Sequence, residues 1–293
     1  MARVFHIVGA GGPVGSTLSK DLRASRETVI DYSHRPNGAA KSLDFLSDAD
    51  PKLDLKDGLE NIVCICSALS KIDDCLAKNQ LSAALNVRGP IRLLESIIEF
   101  PNIVPVFFSS DMVFDGKADF YDENSICGPI NIYGSQKLEV EETIAKLFPK
   151  FLILRMSKIL GNFNDNVLVQ QIESLRRGLP LTCFTDQLYA PLYVKDIAPF
   201  VLRALAKQEF GIFHLAQDKA MSRFDMATQV AKILGAAPNL VRPARLSDMD
   251  FVQPRPLRTY LKNDRARRLL GFEFRQFDEI LRDVLDDRER GHA

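Results

Sequence analysis

Short apolar runs alternate with longer amphipathic stretches through the first half of the chain. Residues 4–8, 28–32, 61–68, 104–109 and 151–155 are rich in Val, Ile and Phe and have the length of buried strands. Between them, residues 16–25, about 81–100 and about 131–148 carry apolar positions at helical spacing. Strands alternating with helices in this way predict an α/β fold, a doubly wound parallel sheet with ligands at the carboxyl ends of its strands. Beyond Arg155 the rhythm breaks. Residues 167–177, 194–207 and 222–234 read as helices, 181–184 as a short strand and 211–216 as a return to the main sheet. The expected organisation is a nucleotide-binding domain over 1–156, rejoined by about 190–216, and a smaller substrate-binding domain from 157–189 and 217–293. The charged end, residues 286–293, is expected to fray.

The first strand runs straight into Gly9, Gly12, Pro13, Val14 and Gly15, with a helix following at once. Strand, glycine turn and helix in that order define a Rossmann dinucleotide site, where the backbone can approach a pyrophosphate at a helix N-terminus. The spacing is G-x-x-G-x-x-G rather than G-x-G-x-x-G. At the end of the second strand Asp31 suits the ribose hydroxyls of NAD, whereas Ser33 with Arg35 suits the 2′-phosphate of NADP. The two signals compete, and the balance leans to NADP. Residues 43–45 are expected to end the next strand and flank the adenine, with residues 54–55 as the alternative.

Composition narrows the partners. The 293 residues carry 38 basic and 38 acidic side chains, and the zero net charge favours neither nucleic acid nor an anionic membrane surface. Apolar runs such as 62–66 and 151–154 fall far short of the ~20 residues a membrane helix needs. The opening MARVFHIVGAGG leads directly into a strand, so no signal peptide is expected, and five cysteines, an odd number, suggest a reduced, cytoplasmic chain. Cys64 and Cys66 read as buried apolar thiols rather than metal ligands, and no metal is expected.

The chemistry concentrates between Ser109 and Lys137. An apolar strand delivers Ser109 and Ser110 to its carboxyl end, and Tyr133 and Lys137 follow four residues apart on one helical face. A phenol beside an ammonium, facing a hydroxyl, is a proton-delivery device, because the positive charge favours the phenolate and lowers the Tyr pKa.

Several stretches together resemble the extended short-chain dehydrogenase/reductases, and within them the dTDP-4-dehydrorhamnose reductase group. They are GAGGPVG (9–15), ALSKIDD (68–74), SSDMVFDG (109–116), PINIYGSQKLEVE (129–141), LILRMSKILG (152–161), DQLYAP (186–191), GIFHLA (211–216) and RPLRTYL (255–261). The resemblance implies a catalytic triad of Ser110, Tyr133 and Lys137, with Tyr133 as proton donor and Lys137 also holding the nicotinamide ribose. It implies that Gly12, Pro13 and Val14 cover the pyrophosphate, Asp44 and Phe45 the adenine, and Ala68, Leu69 and Ser70 the middle of an NADP or NAD molecule. Asp111 would touch the substrate, a nucleotide-linked sugar. The departures fall in the substrate wall: Met112 stands where the group has Tyr, Lys158 where it has Trp and Arg258 where it has Asn. Two added cations there favour a substrate with extra negative charge, unless Lys158 points to solvent. Arg255 and Arg258, with Lys262 as a weaker candidate, are expected to hold the substrate diphosphate.

The resulting expectation is an NAD(P)-dependent reductase of a sugar keto group. A sugar-nucleotide epimerase or dehydratase with bound NAD, and a non-catalytic nucleotide-binding regulatory subunit, are the alternatives. The number of chains that associate is not fixed by the sequence, and a homodimer is compatible with it.

Overall fold

In a computed structural model, which describes residues 2–47 and 49–291, seven parallel strands form the central sheet. The first half supplies β1 (Arg3–Val8), α1 (Pro13–Ala24), β2 (Thr28–Ser33), β3 (Lys41–Ser42), β4 (Glu60–Ile65), α2 (Ile72–Ala77), α3 (Asn79–Ala83), α4 (Gly89–Ile97) and β5 (Ile103–Ser110). Then come α5 (Ile132–Leu147), β6 (Leu152–Met156), β7 (Ile159–Leu160), α6 (Val167–Arg176), β8 (Leu181–Phe184), β9 (Leu188–Tyr189) and β10 (Leu192–Tyr193). The chain closes with α7 (Ile197–Lys207), β11 (Gly211–Leu215), β12 (Met221–Ser222), α8 (Arg223–Leu234), β13 (Val241–Ala244), β14 (Arg258–Thr259) and α9 (Phe277–Glu289).

The sheet order is β11-β6-β5-β4-β1-β2-β3. The chain starts at β1, winds outward to β3, and returns across to β4, so the direction reverses between β1 and β4. In open α/β sheets ligands bind at the carboxyl ends of the strands where the winding reverses. Each strand faces helices on both sides, which is why Phe5 and Ile7 fall in one apolar cluster and Val8, Val63 and Phe107 in another. The larger cluster extends from Phe5 and Ile62 out to Met221 and Val241 in the small sheets, so the sheet and the later elements share one core.

Several expectations need revising. The helix expected over about 81–100 begins earlier and is broken: α2 ends at Ala77, α3 starts at Asn79, and Ala84–Arg88 winds as a π-helix before α4. Asn86 within that π-turn is buried and hydrogen-bonded to both backbone groups of Leu69, and π-turns of this kind recur at functional sites. β3 is only two residues long and stops before Leu43. Residues 286–289 do not fray, because α9 packs Ile280, Leu281 and Val284 into the core and continues to Glu289; His292 and Ala293 lie outside the described residues. Among the described residues no helix is long and apolar enough to cross a membrane, and all five cysteines are free.

Candidate active site

The turn after β1 is built for a close approach. Gly9 has φ +94, and a Cβ there would lie 2.6 Å from Ser67 Oγ; one on Gly15 would run into the Gly9 carbonyl oxygen. A side chain at either position would force β1, β4 and α1 apart. Gly12 caps α1 with no side chain on the helix's first N–H groups, and no acidic residue sits in that turn. Pro13, Val14 and Gly15 therefore leave a positive helix end open at the strand termini, as a pyrophosphate requires.

The ribose candidates divide. Asp31 accepts from Ser19 Oγ at 2.9 Å and from Arg23 Nη1 at 2.8 Å through Oδ2 alone, so α1 occupies one carboxylate oxygen and Oδ1 has no partner among the described residues. Ser33 lies beside Gly11, where a Cβ would approach its Oγ to 3.2 Å. The Ser33 hydroxyl folds back on the Arg35 backbone at 3.3 Å, which fixes the turn, and the exposed guanidinium has no acidic partner among the described residues. That free cation fits an added 2′-phosphate. Asp44 is exposed and caps Leu46 N, whereas the Phe45 side chain is buried against Gly89, so only its backbone is available to an adenine.

Leu69 is gripped from behind. Asn86 Oδ1 accepts from Leu69 N at 2.7 Å, and Asn86 Nδ2 donates to Leu69 O and to Gln136 Oε1, the latter at 2.7 Å. Gln136 in turn donates to Ser82 Oγ at 2.9 Å. Ala68, Leu69 and Ser70 are thus tied to the residue next to Lys137. Sequence reasoning placed Asn86 on a helix without giving it this role; its only signal was a polar residue on an otherwise apolar face.

The paired serines separate as alternating strand residues must. Ser109 Oγ donates to Glu141, which forms a buried ion pair with Arg155 at 2.7 Å. Ser110 donates to Asp111 Oδ1 at 3.0 Å and accepts from Met112 N at 3.2 Å, closing a tight turn at the strand end. Gly134 lets α5 settle on that turn, since a Cβ there would overlap the Met112 carbonyl. Asn131 caps the helix by accepting from Gly134 N at 2.9 Å. Tyr133, between those two residues, is thereby held beside the Ser110–Asp111 segment.

The electrostatics differ from expectation. Burial pushes the Tyr133 phenol well above its ordinary range, and the neighbouring Asp111 charge pushes the same way. Lys137 is itself drawn down to about 8 by burial. Its Nζ donates to the Phe108 carbonyl at 2.8 Å and lies 5.8 Å from the centre of the Tyr133 ring. The expected lowering of the Tyr pKa by Lys137 is not seen: burial, the Asp111 charge and the Cys75 thiol all raise it. Asp111 is also raised, to about 6, by burial, against hydrogen bonds from Thr259 and Ser110 and the charge of Lys158.

The later segments close over this centre. Met112 touches Asn131 through its sulfur at 3.8 Å. Gln253 accepts from Ile132 N at 3.0 Å and donates to the Ile72 carbonyl, strapping the segment before β14 to both α2 and α5. Arg255 pairs with Asp73 at 2.7 Å, Arg258 with exposed Asp119 at 2.5 Å, and Lys262 Nζ lies 3.4 Å from the centre of the Phe120 ring. Lys158 is half-buried rather than free in solvent, with Arg223, Asp111 and Arg255 as its charged neighbours.

A parallel sheet with this strand order, a glycine cradle at its reversal point, and a Ser, Tyr and Lys set at the end of β5 define a Rossmann-fold oxidoreductase of the short-chain dehydrogenase/reductase class. A family model described as the RmlD substrate binding domain matches residues 3–290. The chain belongs to that family, an extended short-chain dehydrogenase/reductase of the dTDP-4-dehydrorhamnose reductase group. It is 28% identical over 276 residues to the "Probable low-salt glycan biosynthesis reductase Agl14" of Haloferax volcanii, covering 90% of this chain and 91% of that protein. It is 26% identical over 301 residues to the dTDP-4-dehydrorhamnose reductase of Aggregatibacter actinomycetemcomitans, covering 97% and 98%. The structure of a dTDP-4-dehydrorhamnose reductase from Bacillus anthracis in complex with NADP superposes with a TM-score of 0.83 at 22% identity, covering 98% and 99%.

Proposed function

We propose that this chain is an NAD(P)-dependent reductase that turns a keto group on a nucleotide-linked sugar into a hydroxyl. The observation that carries the reading is the Tyr133 hydroxyl. It has no hydrogen-bond partner among the described residues, yet it is held within reach of the Asp111 charge by a helix whose Gly134 rests on the Ser110–Met112 turn.

When bound, the nicotinamide supplies the hydride. The Gly9–Gly15 turn holds the pyrophosphate, Arg35 with Ser33 takes a 2′-phosphate, and the Asn86 clamp fixes Ala68, Leu69 and Ser70 along the cofactor. Ser110 and Tyr133 donate hydrogen bonds to the carbonyl oxygen as negative charge builds on it, and Tyr133 releases its proton to that oxygen. The raised Tyr pKa keeps the phenol protonated until then, which is the form a reduction needs. Lys137, anchored on the Phe108 carbonyl, holds a positive charge beside the ring to stabilise the phenolate left behind. Segments 157–189 and 217–291 supply the sugar-facing wall together with Asp111 and Met112, with Lys158 toward the reacting carbon and Arg255 toward the diphosphate.

The test mixes purified protein with NADPH and a series of 4-keto nucleotide sugars and follows loss of the reduced-nicotinamide absorbance. Turnover in the native chain that disappears in Tyr133→Phe is the expected result. If no substrate gives turnover that depends on Tyr133, the reading is wrong.

A further inference from the structure

Beside Asp111 the structure keeps an unusual set of polar side chains with few protein partners. Among the described residues the Ser157 hydroxyl and the Gln171 amide oxygen are buried without a hydrogen-bond partner, and the buried Tyr189 hydroxyl faces only the Arg223 guanidinium. Lys158, next to Ser157, has no carboxylate or carbonyl receiving its amine among the described residues, although Arg223, Arg255 and Asp111 all act on it.

Local topology brings these residues together. Tyr189 in β9 pairs with Met221 of β12 on one side and Thr259 of β14 on the other. Arg223 follows β12 directly as the first residue of α8, and its carbonyl accepts from Gln171 Nε2 at 3.2 Å. Thr259 hydrogen-bonds Asp111. The Lys158 carbonyl accepts from Leu192 N at 2.9 Å, which fixes the stem of Lys158 at the end of β6.

The charges in this pocket do not balance. Arg255 is already paired with Asp73 at 2.7 Å. That leaves Lys158 and Arg223 against the single carboxylate of Asp111. Two half-buried cations beside the buried hydroxyls of Ser157 and Tyr189 form a poor apolar wall and a good anion receptor. A guanidinium and an ammonium close enough to act on each other suit the two oxygens of a carboxylate. Because Asp111, the neighbour of Ser110, is one of the charges acting on Lys158, the cluster adjoins the proposed reacting centre.

We infer that Lys158 and Arg223, with the hydroxyls of Tyr189 and Ser157, form a carboxylate subsite that selects a nucleotide-linked sugar bearing an acid group on its ring, a uronate-type substrate. This rests on the reading of the chain as a nucleotide-sugar enzyme and adds the substrate class. The diphosphate is the other anion such a ligand carries, and the test separates the two.

Protein loaded with NADP is titrated calorimetrically with UDP-glucose and UDP-glucuronate, and with the dTDP forms of the same two sugars. Within each pair only the ring carboxylate differs. The uronate is expected to bind at least about tenfold tighter, the scale of a charge-assisted hydrogen bond made to a desolvated cation. Lys158→Met and Arg223→Met should each bring that ratio toward one, with circular dichroism confirming the fold. Equal affinity of native protein for both sugars would overturn the subsite and leave the reductase reading standing. Variants that weaken both sugars equally would assign the cations to the diphosphate, which also overturns it. Absence of binding by any nucleotide sugar would remove both readings. The comparison on native protein stands even if a variant fails to fold.

Discussion

Burial of Asp111 has a consequence for stability that replacing it with Asn isolates. Its side chain is 6% exposed, and its pKa is raised from 3.8 to about 6, chiefly by desolvation. A raised carboxylate stabilises the fold fully at pH values below its unfolded pKa, and that contribution is lost as pH climbs through the folded value. At ~1.36 kcal/mol per pKa unit, the gap makes ionised Asp111 cost about 3 kcal/mol above pH ~7. Near pH 5 the same relation gives only about 1.6 kcal/mol, because much of the folded protein has the neutral acid. Asn keeps the oxygen that accepts from Ser110 and carries no charge at any pH. Asp111→Asn is therefore expected to gain stability relative to the native chain as pH rises, the difference widening by about 1.4 kcal/mol between pH ~5 and ~8. Urea unfolding of both proteins at the two pH values, followed by far-UV circular dichroism, measures it. A difference that stays constant, or shrinks with pH, would refute the argument that burial dominates at this carboxylate.

Other substitutions probe other parts of the account. Arg35→Ala should raise KM for NADPH about 10- to 100-fold, the worth of a charge-assisted contact, and leave KM for NADH nearly unchanged; steady-state kinetics with both cofactors decides it. Gly134→Ala, which drives a methyl group into the Met112 carbonyl, should cost about 1–3 kcal/mol of stability and lower kcat by shifting Tyr133, as read from urea melts and turnover. Glu141→Ala leaves Arg155 buried without its partner, a loss of about 3–5 kcal/mol expected in the same melts. Asn86→Ala frees the Leu69 backbone from its clamp, so amide hydrogen exchange at 68–70 should accelerate while the core strands keep their protection.

The sheet was legible because its strands are continuous apolar runs and its helices amphipathic, both properties of the local chain. β11 could be assigned to the main sheet from residues 211–216 alone. The break at Lys78 and the π-turn at Ala84–Arg88 left no such trace, because they follow from Asn86 reaching Leu69 and Gln136 in distant segments. Ser110, Tyr133 and Lys137 stood out by spacing and by resemblance. Their protonation did not, since the direction of the Tyr133 shift depends on burial, which spacing does not report. Likewise Lys158 was visible as a departure from the family pattern, but Arg223, Tyr189 and Ser157 carried no signal until the short pairings around β9 brought them together. Pairs such as Asp31 with Arg23 and Arg258 with Asp119 show the same limit: a charged residue's partner is chosen by the fold.

Hydride delivery from the cofactor to a sugar carbonyl, with Tyr133 as the proton source, is the claim on which the functional account turns. NADPH carrying deuterium at the transferable position of C4, incubated with a 4-keto nucleotide sugar, tests it most directly by mass spectrometry of the product. Native protein should place one deuterium on the new carbinol carbon and leave oxidised cofactor in equal amount, and Tyr133→Phe should form almost none. A product without deuterium, formed with no net oxidation of the cofactor, would contradict the account.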